Sequence, residues 1–433
     1  MKTYLLLAAA AVALASPAHA ALSSAEKKMV ATVDAEAERS ILFLEKLVNQ
    51  NSGTLNIEGV TKVAEMVKPE FDALGFTTVW KPLPQTKRAG HLIATHKGRP
   101  GGKLLLLIGH LDTVFEPDSP FQKFERKGDQ GVGPGAADNK GGVVAMLAAL
   151  RAMKAAGTLK DANIEVHLTG DEERSGDPID IARADLIAAG KRADAALDFE
   201  GLSVEDGRDM GSIARRSSNS WELHTTGKSG HSSGIFRAGV GDGAIYEIAR
   251  IIAAFRTELP EPNLTFNVGL ITGGATATLD ADAVRATATG KGNIIPGVAI
   301  ARGDFRTLSQ EQTVRVREKM QAIVAKHLPE TGAKISFDEG YPPMAPTAGN
   351  RALLAKLNVV NKDMGLPQMA ELDPLKRGAG DIAFVANDVD GLVGLGPSSR
   401  GDHAPGEAVN LPSIAKQAKR AAILMTRLSR EPK

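Results

Sequence analysis

The chain has 433 residues, no cysteine, and 52 basic against 51 acidic side chains. The missing cysteine excludes disulfides and thiolate metal ligands. A net charge near zero with no basic stripe argues against a nucleic-acid partner, and a chain this long divides into two domains more readily than it fills one core.

Met1 to Ala20 (MKTYLLLAAAAVALASPAHA) reads as a secretory signal peptide, with Lys2 as its positive start, Leu5 to Ala15 as its apolar stretch and Ala18-His19-Ala20 as a small-residue cleavage site. That stretch is short for a bilayer span, so the expectation is export to the periplasm or beyond, with no membrane attachment after cleavage. Helical patterns then cover 24–49 and 59–74, the second stopped by Gly75, and strands are expected at Thr77 to Trp80 and His91 to Thr95. Lys103 to Ile108 is continuously apolar, as in a strand covered on both faces. An alanine-rich helix over Gly142 to Ala156 precedes the alternating strand NIEVHLT and the short apolar run ADAALDFEG.

From about Ser217 the texture changes. SWELHTTG, LTFNVGLITGG, AVRATATG and GVAIARGDFRTL read as four strands, with helices over Gly243 to Thr257 and Ser309 to His327. After about Thr331 the strand–helix texture returns, with DGLVGLG as a strand and a closing helix over Leu411 to Leu428. The expected architecture is an α/β domain with a central, mostly parallel sheet, residues 21–214 plus 331–433, interrupted by an inserted α+β lid at 215–330.

In open α/β sheets, functional groups gather beyond the carboxyl ends of the strands. His110 and Asp112 follow KLLLLIG, and positions i and i+2 of an extended chain share a face. Asp171, Glu172 and Glu173 follow IEVHLTG, Asp198 and Glu200 close AALDFE, and His403 follows GLVGLGPSSRGD. Asp138 lies in the glycine-rich loop GVGPGAADNKGG. Four strand ends and a loop each offer imidazole or carboxylate, the donors that suit Zn²⁺.

GHLDTV, GPGAADNKGG, GDEERSG, DFEG, GKSGHSSG and GDHAPGEAV occur in this order between about Ile108 and Val409. Together they resemble the M20 family of zinc metallopeptidases, especially its glutamate-carboxypeptidase-like branch. The resemblance implies two zinc ions bridged by Asp138, with His110 and Glu200 completing one site and Glu173 and His403 the other. Asp198 is the alternative to Glu200. Asp112 would stand behind His110 and fix its tautomer, and Glu172 would be the general base. The resemblance also implies that the lid presents His231 to the scissile carbonyl, and that Asn293 and Arg306 bind a C-terminal carboxylate. Lids of this family commonly dimerise. Gly380 stands where serine is common and Asn139 where methionine is usual, departures that bear on substrate choice. The implied substrate is a peptide or N-acyl amino acid with a free carboxylate. Aminopeptidase, dipeptidase and amidohydrolase branches share these ligands, and cobalt or manganese suits them as well. His91, His96, His167, His224 and His327 match no motif and read as structural.

GHSSG also fits a serine-hydrolase nucleophile elbow at Ser232, but the strand WELHTT ends several residues too early for one. GVGPGAAD carries Asp138 in place of the third glycine of a dinucleotide loop. A non-catalytic binding protein on a retired hydrolase scaffold should lack a ligand or the base, and none is missing.

Overall fold

The computed structural model describes residues 22–433, so the signal-peptide reading of Met1 to Ala20 lies outside the described residues. The first expected helix is two, α1 (Ser24–Ala35) and α2 (Ala37–Val48), because Glu36 leaves helical geometry at φ −100°, ψ 10°. α3 (Ile57–Leu74) ends where Gly75 takes the left-handed φ of 95°, a conformation that glycine adopts without strain. There follow β1 (Thr77–Leu83), β2 (Arg88–His96), β3 (Leu104–His110), α4 (Lys140–Ala155), β4 (Asn163–Thr169) and β5 (Ala195–Asp198). The inserted part contributes β6 (Ser218–Gly227), α5 (Ala244–Glu258), β7 (Thr265–Gly274), β8 (Val298–Arg306), α6 (Gln310–Val324) and β9 (Thr331–Tyr341). The chain closes with α7 (Ala348–Asp363), β10 (Gly391–Val393) and α8 (Leu411–Arg430).

The main sheet has the order β1-β2-β4-β3-β5-β10. β4, β3, β5 and β10 run parallel, while β2 is antiparallel to both β1 and β4. Its centre is dry: Leu105, Leu106, Leu107 and Ile108 are fully buried, as is most of α4, which is apolar nearly all round. Parallel strands share one carboxyl end, and the register pairs His110 with Thr169 and Ile108 with Asp198. The acid- and histidine-bearing segments therefore leave the sheet on the same side.

The lid is a four-stranded antiparallel sheet, β7-β8-β6-β9, with a core of its own. Trp221 packs edge-on against Phe255 within that core, at 5.7 Å between centroids. Two expectations are corrected here. AVRATATG supplies not a member of this sheet but half of a small hairpin, 276–279 with 286–289. Its place is taken by β9, which pairs with β6 from Thr331 to Tyr341, so the lid runs about ten residues past the expected boundary at 330. The two connections to the lid lie side by side, for Arg215 and Met344 exchange backbone hydrogen bonds of 3.0 and 2.9 Å. Among the described residues no helix is long and apolar enough to cross a membrane.

Candidate active site

The segments leaving the sheet converge on Asp138. His110 Nε2 lies 2.9 Å from Asp138 Oδ1 and 3.4 Å from Glu200 Oε1. From the other side, His403 Nε2 lies 3.1 Å from Asp138 Oδ2 and 3.2 Å from Glu173 Oε2. Asp138 thus offers one oxygen to each histidine. Donor atoms of His110, Glu172 and Glu200, and likewise of His110, Asp138 and Glu173, lie within 4.8 Å of one another. Asp198 does not join them: its Oδ1 accepts the Glu200 N–H at 3.2 Å and its Oδ2 lies 3.6 Å from Arg215.

A cation fits this arrangement. Glu173 Oε1 is buried with no hydrogen-bond partner, a costly state for a carboxylate oxygen. Burial and neighbouring acids push Glu172 well above the usual carboxylate range and Glu173 up to about 7. Burial opposes charge on Asp138 and His110 as well, yet their mutual contact, with His403 on one and Asp112 and Glu200 on the other, holds Asp138 well below and His110 well above their ordinary values. Asp138 and Glu173 raise His403 to about 11. The cluster carries an excess of buried negative charge, which a divalent ion would neutralise. His403 also holds a left-handed φ of 64°, uncommon outside glycine and concentrated at functional sites.

The supporting groups are equally specific. The Asp112 carboxylate is fully buried; Oδ1 accepts the Glu172 N–H at 3.0 Å, and Oδ2 accepts the Glu173 N–H at 3.1 Å and the Thr54 hydroxyl at 2.6 Å. His110 Nδ1 lies 3.1 Å from the Asp112 carbonyl and 3.3 Å from its carboxylate. Glu407, buried, accepts the N–H groups of Ala137 and Asp138 at 2.9 and 3.1 Å and so shapes the Asp138 turn. Asn139, buried, donates to the Phe199 carbonyl at 3.0 Å, linking that turn to the segment that bears Glu200. His91 accepts the Gly170 N–H at 3.2 Å, a structural contact just ahead of the glutamates. Thr54→Val keeps the shape but removes a hydrogen bond to a charged group, so it should cost about 1.5 kcal/mol, read as a lower denaturant midpoint at unchanged m.

A profile of the peptidase family M20/M25/M40 matches residues 106–427, most of the chain. The chain belongs to the M20 peptidase family. Carboxypeptidase G2 of Pseudomonas sp. (strain RS-16) is 27% identical over 432 residues, covering 96% of each chain. Among solved structures, aminopeptidase PepT of Bacillus cereus shares the fold at a TM-score of 0.69 and 18% identity, over 91% of this chain and 99% of that one. The Bacillus subtilis YXEP protein, described as a dinuclear metal binding peptidase from the M20 family, aligns at a TM-score of 0.63 and 15% identity, over 91% and 98%. This M20 peptidase is accordingly a metal-dependent hydrolase.

Asp138, Glu172, Glu173 and Glu200 line a cavity of about 440 Å³ together with Arg215, Arg306, Lys376 and Arg377. Arg306, the last residue of β8, makes one ion pair among the described residues, with Asp304 at 3.5 Å. His231 and Asn293 do not join it. His231 lies on a short ladder, 230–231 with 294–295, and Asn293 just precedes it; both residues are exposed and lie beyond the opposite ends of β6 and β8. Nine or ten residues of strand separate the two ends, about 30 Å. His231 Nδ1 instead meets Ser233 Oγ at 2.9 Å, and Ser232 opens only a three-residue turn, so no nucleophile elbow forms there.

Arg215 and Arg377 were not among the expected site residues. They lie 3.5 and 3.6 Å from Glu200 Oε2, on the side away from His110. Arg215 can lie there because residue 380 is glycine: a Cβ at that position would fall 2.1 Å from the guanidinium. The departure from serine thus has a steric partner. A doubled arginine ahead of a strand is an ordinary surface pattern, and nothing local in ARRSSNSW marks Arg215 as buried.

Proposed function

We propose that the chain is an exported dinuclear zinc carboxypeptidase, hydrolysing the amide bond of a peptide or N-acyl amino acid that bears a free C-terminal carboxylate. The observation that carries the metal assignment is the pair of histidines facing opposite oxygens of Asp138. On this reading His110, Asp138 and Glu200 hold one ion and Asp138, Glu173 and His403 the other. When bound, such ions polarise the scissile carbonyl and make water easier to deprotonate. Glu172 accepts the proton of the attacking water on a carboxylate oxygen and delivers it to the leaving amine nitrogen. Burial first, and then Glu200, Asp381 and Glu173, raise Glu172 above the usual carboxylate range, which favours its taking up a proton. Asp112 fixes the His110 ring and both glutamate peptides.

The carboxypeptidase direction is supported by Arg306, which lines the cavity and, among the described residues, has Asp304 as its one ion-pair partner, and by the similarity to carboxypeptidase G2. Arg306 is about one-third exposed, so solvent weakens what it contributes. Arg306→Ala should therefore lower kcat/KM for a free-acid substrate by about tenfold. It should change little for the matched C-terminal amide, which the parent enzyme should already cleave poorly. Equal cleavage of acid and amide by the parent would sink the carboxypeptidase reading in favour of an aminopeptidase and leave the metal centre untouched. Export rests on the leader pattern of Met1 to Ala20, and fractionation of cells expressing the full chain tests it.

A further inference from the structure

We propose that Tyr341 is a positioning residue for Glu172 and ties that carboxylate to the lid. Among the described residues the Glu172 carboxylate has no hydrogen bond or ion pair of its own, so its place is set through its main chain. The Glu172 N–H is held by Asp112 Oδ1 at 3.0 Å, and the Glu172 carbonyl accepts the Tyr341 hydroxyl at 2.6 Å. One grip belongs to the α/β domain. The other belongs to the lid, because Tyr341 is the last residue of β9 and pairs with Ser218 at the start of β6.

The phenol is itself fixed. Its oxygen accepts from Arg183 Nη2 at 2.8 Å and from Ser175 Oγ at 2.9 Å, so its one proton and both lone pairs are engaged. Arg183 is fully buried and anchored by Asp171 at 2.6 Å and Asp381 at 2.8 Å. The ring packs edge-on against Phe384, with centroids 4.9 Å apart. A displacement of β9 relative to the α/β domain must therefore move the Glu172 peptide, break the 2.6 Å hydrogen bond, or both.

The inference rests on Glu172 being the base, and the test separates the two. In the metal-loaded full chain, Tyr341→Phe keeps the ring and removes the grip, so kcat should fall about tenfold, well inside the range for a misplaced catalytic group. KM and bound metal should match the parent, while the melting temperature falls modestly because three hydrogen bonds to the hydroxyl are lost. A parent-like kcat, or a loss that merely tracks lost metal or lost folded protein, overturns the proposal. Should that variant fold poorly, Phe384→Leu loosens the ring while keeping the hydroxyl, and a smaller kcat loss at unchanged KM is expected. Combining Tyr341→Phe with Arg306→Ala should give a loss smaller than the product of the single losses, because both act through the lid; a full product removes the link to the lid. Glu172→Gln run alongside distinguishes the failures: if it stays active, the base assignment falls; if it is inactive while Tyr341→Phe is normal, only this inference falls.

Discussion

Asp138→Ala should leave the protein with almost no bound metal and no measurable hydrolysis. The reason is geometric: each Asp138 oxygen faces a different histidine, at 2.9 and 3.1 Å. Removing the side chain leaves His110 with Glu200 and His403 with Glu173, two donors apiece where a zinc site ordinarily uses three protein ligands and an open position. Metal analysis on desalted protein reads the outcome, with about two ions per chain expected for the parent, as in other two-metal hydrolases. His403→Ala is the control, expected to weaken mainly one ion. An Asp138→Ala protein that keeps both ions and the parent rate would end the bridged assignment.

The second large effect is expected at Glu172. Glutamine there preserves size and the main-chain grips of Asp112 and Tyr341 but cannot carry a proton, so kcat should fall by at least ~100-fold, the lower end for loss of a general base. Bound metal should hardly change. The adjacent Glu173→Gln should do the reverse in part, losing metal along with rate, because Glu173 Oε2 faces His403 at 3.2 Å. If the two variants exchange these behaviours, the roles of the glutamates are exchanged too. The geometry gives that outcome a specific form, since Glu172 donor atoms also lie among those of His110 and Glu200.

How legible all this was in the sequence differs by residue. That the strand ends bearing His110, Glu172, Glu173 and Glu200 share one side followed from the rule that parallel strands release their chains at a common end, and the register obeys it. That Asp138, on a loop, joins them, and which acid plays which part, rested on the motif resemblance. Where a strand belongs was harder to read. TGAKISFDEGY alternates Ile335 and Phe337 with polar residues, which announces a strand but not its sheet, and β9 was assigned to the wrong side of the boundary. Motif proximity misled for a related reason. Asn293 and Arg306 are thirteen positions apart, yet β8 lies between them and carries them to opposite ends of the lid. Glu407 and Tyr341 act through contacts with residues more than 150 positions away in sequence, and no local pattern encodes such partners.

The adjoining connections at Arg215 and Met344 give the lid the mechanics of a lever. Ser218, Arg306 and Tyr341 sit beside the fulcrum, whereas His231 and Asn293 ride at the tip, about 30 Å out along the strands. A hinge rotation of about 10°, modest for domain closure, sweeps such a tip through roughly 5 Å while the groups at the fulcrum shift by well under 1 Å. In such a rotation the arginine at the cavity would keep its aim, and whatever the tip touches would be engaged or released.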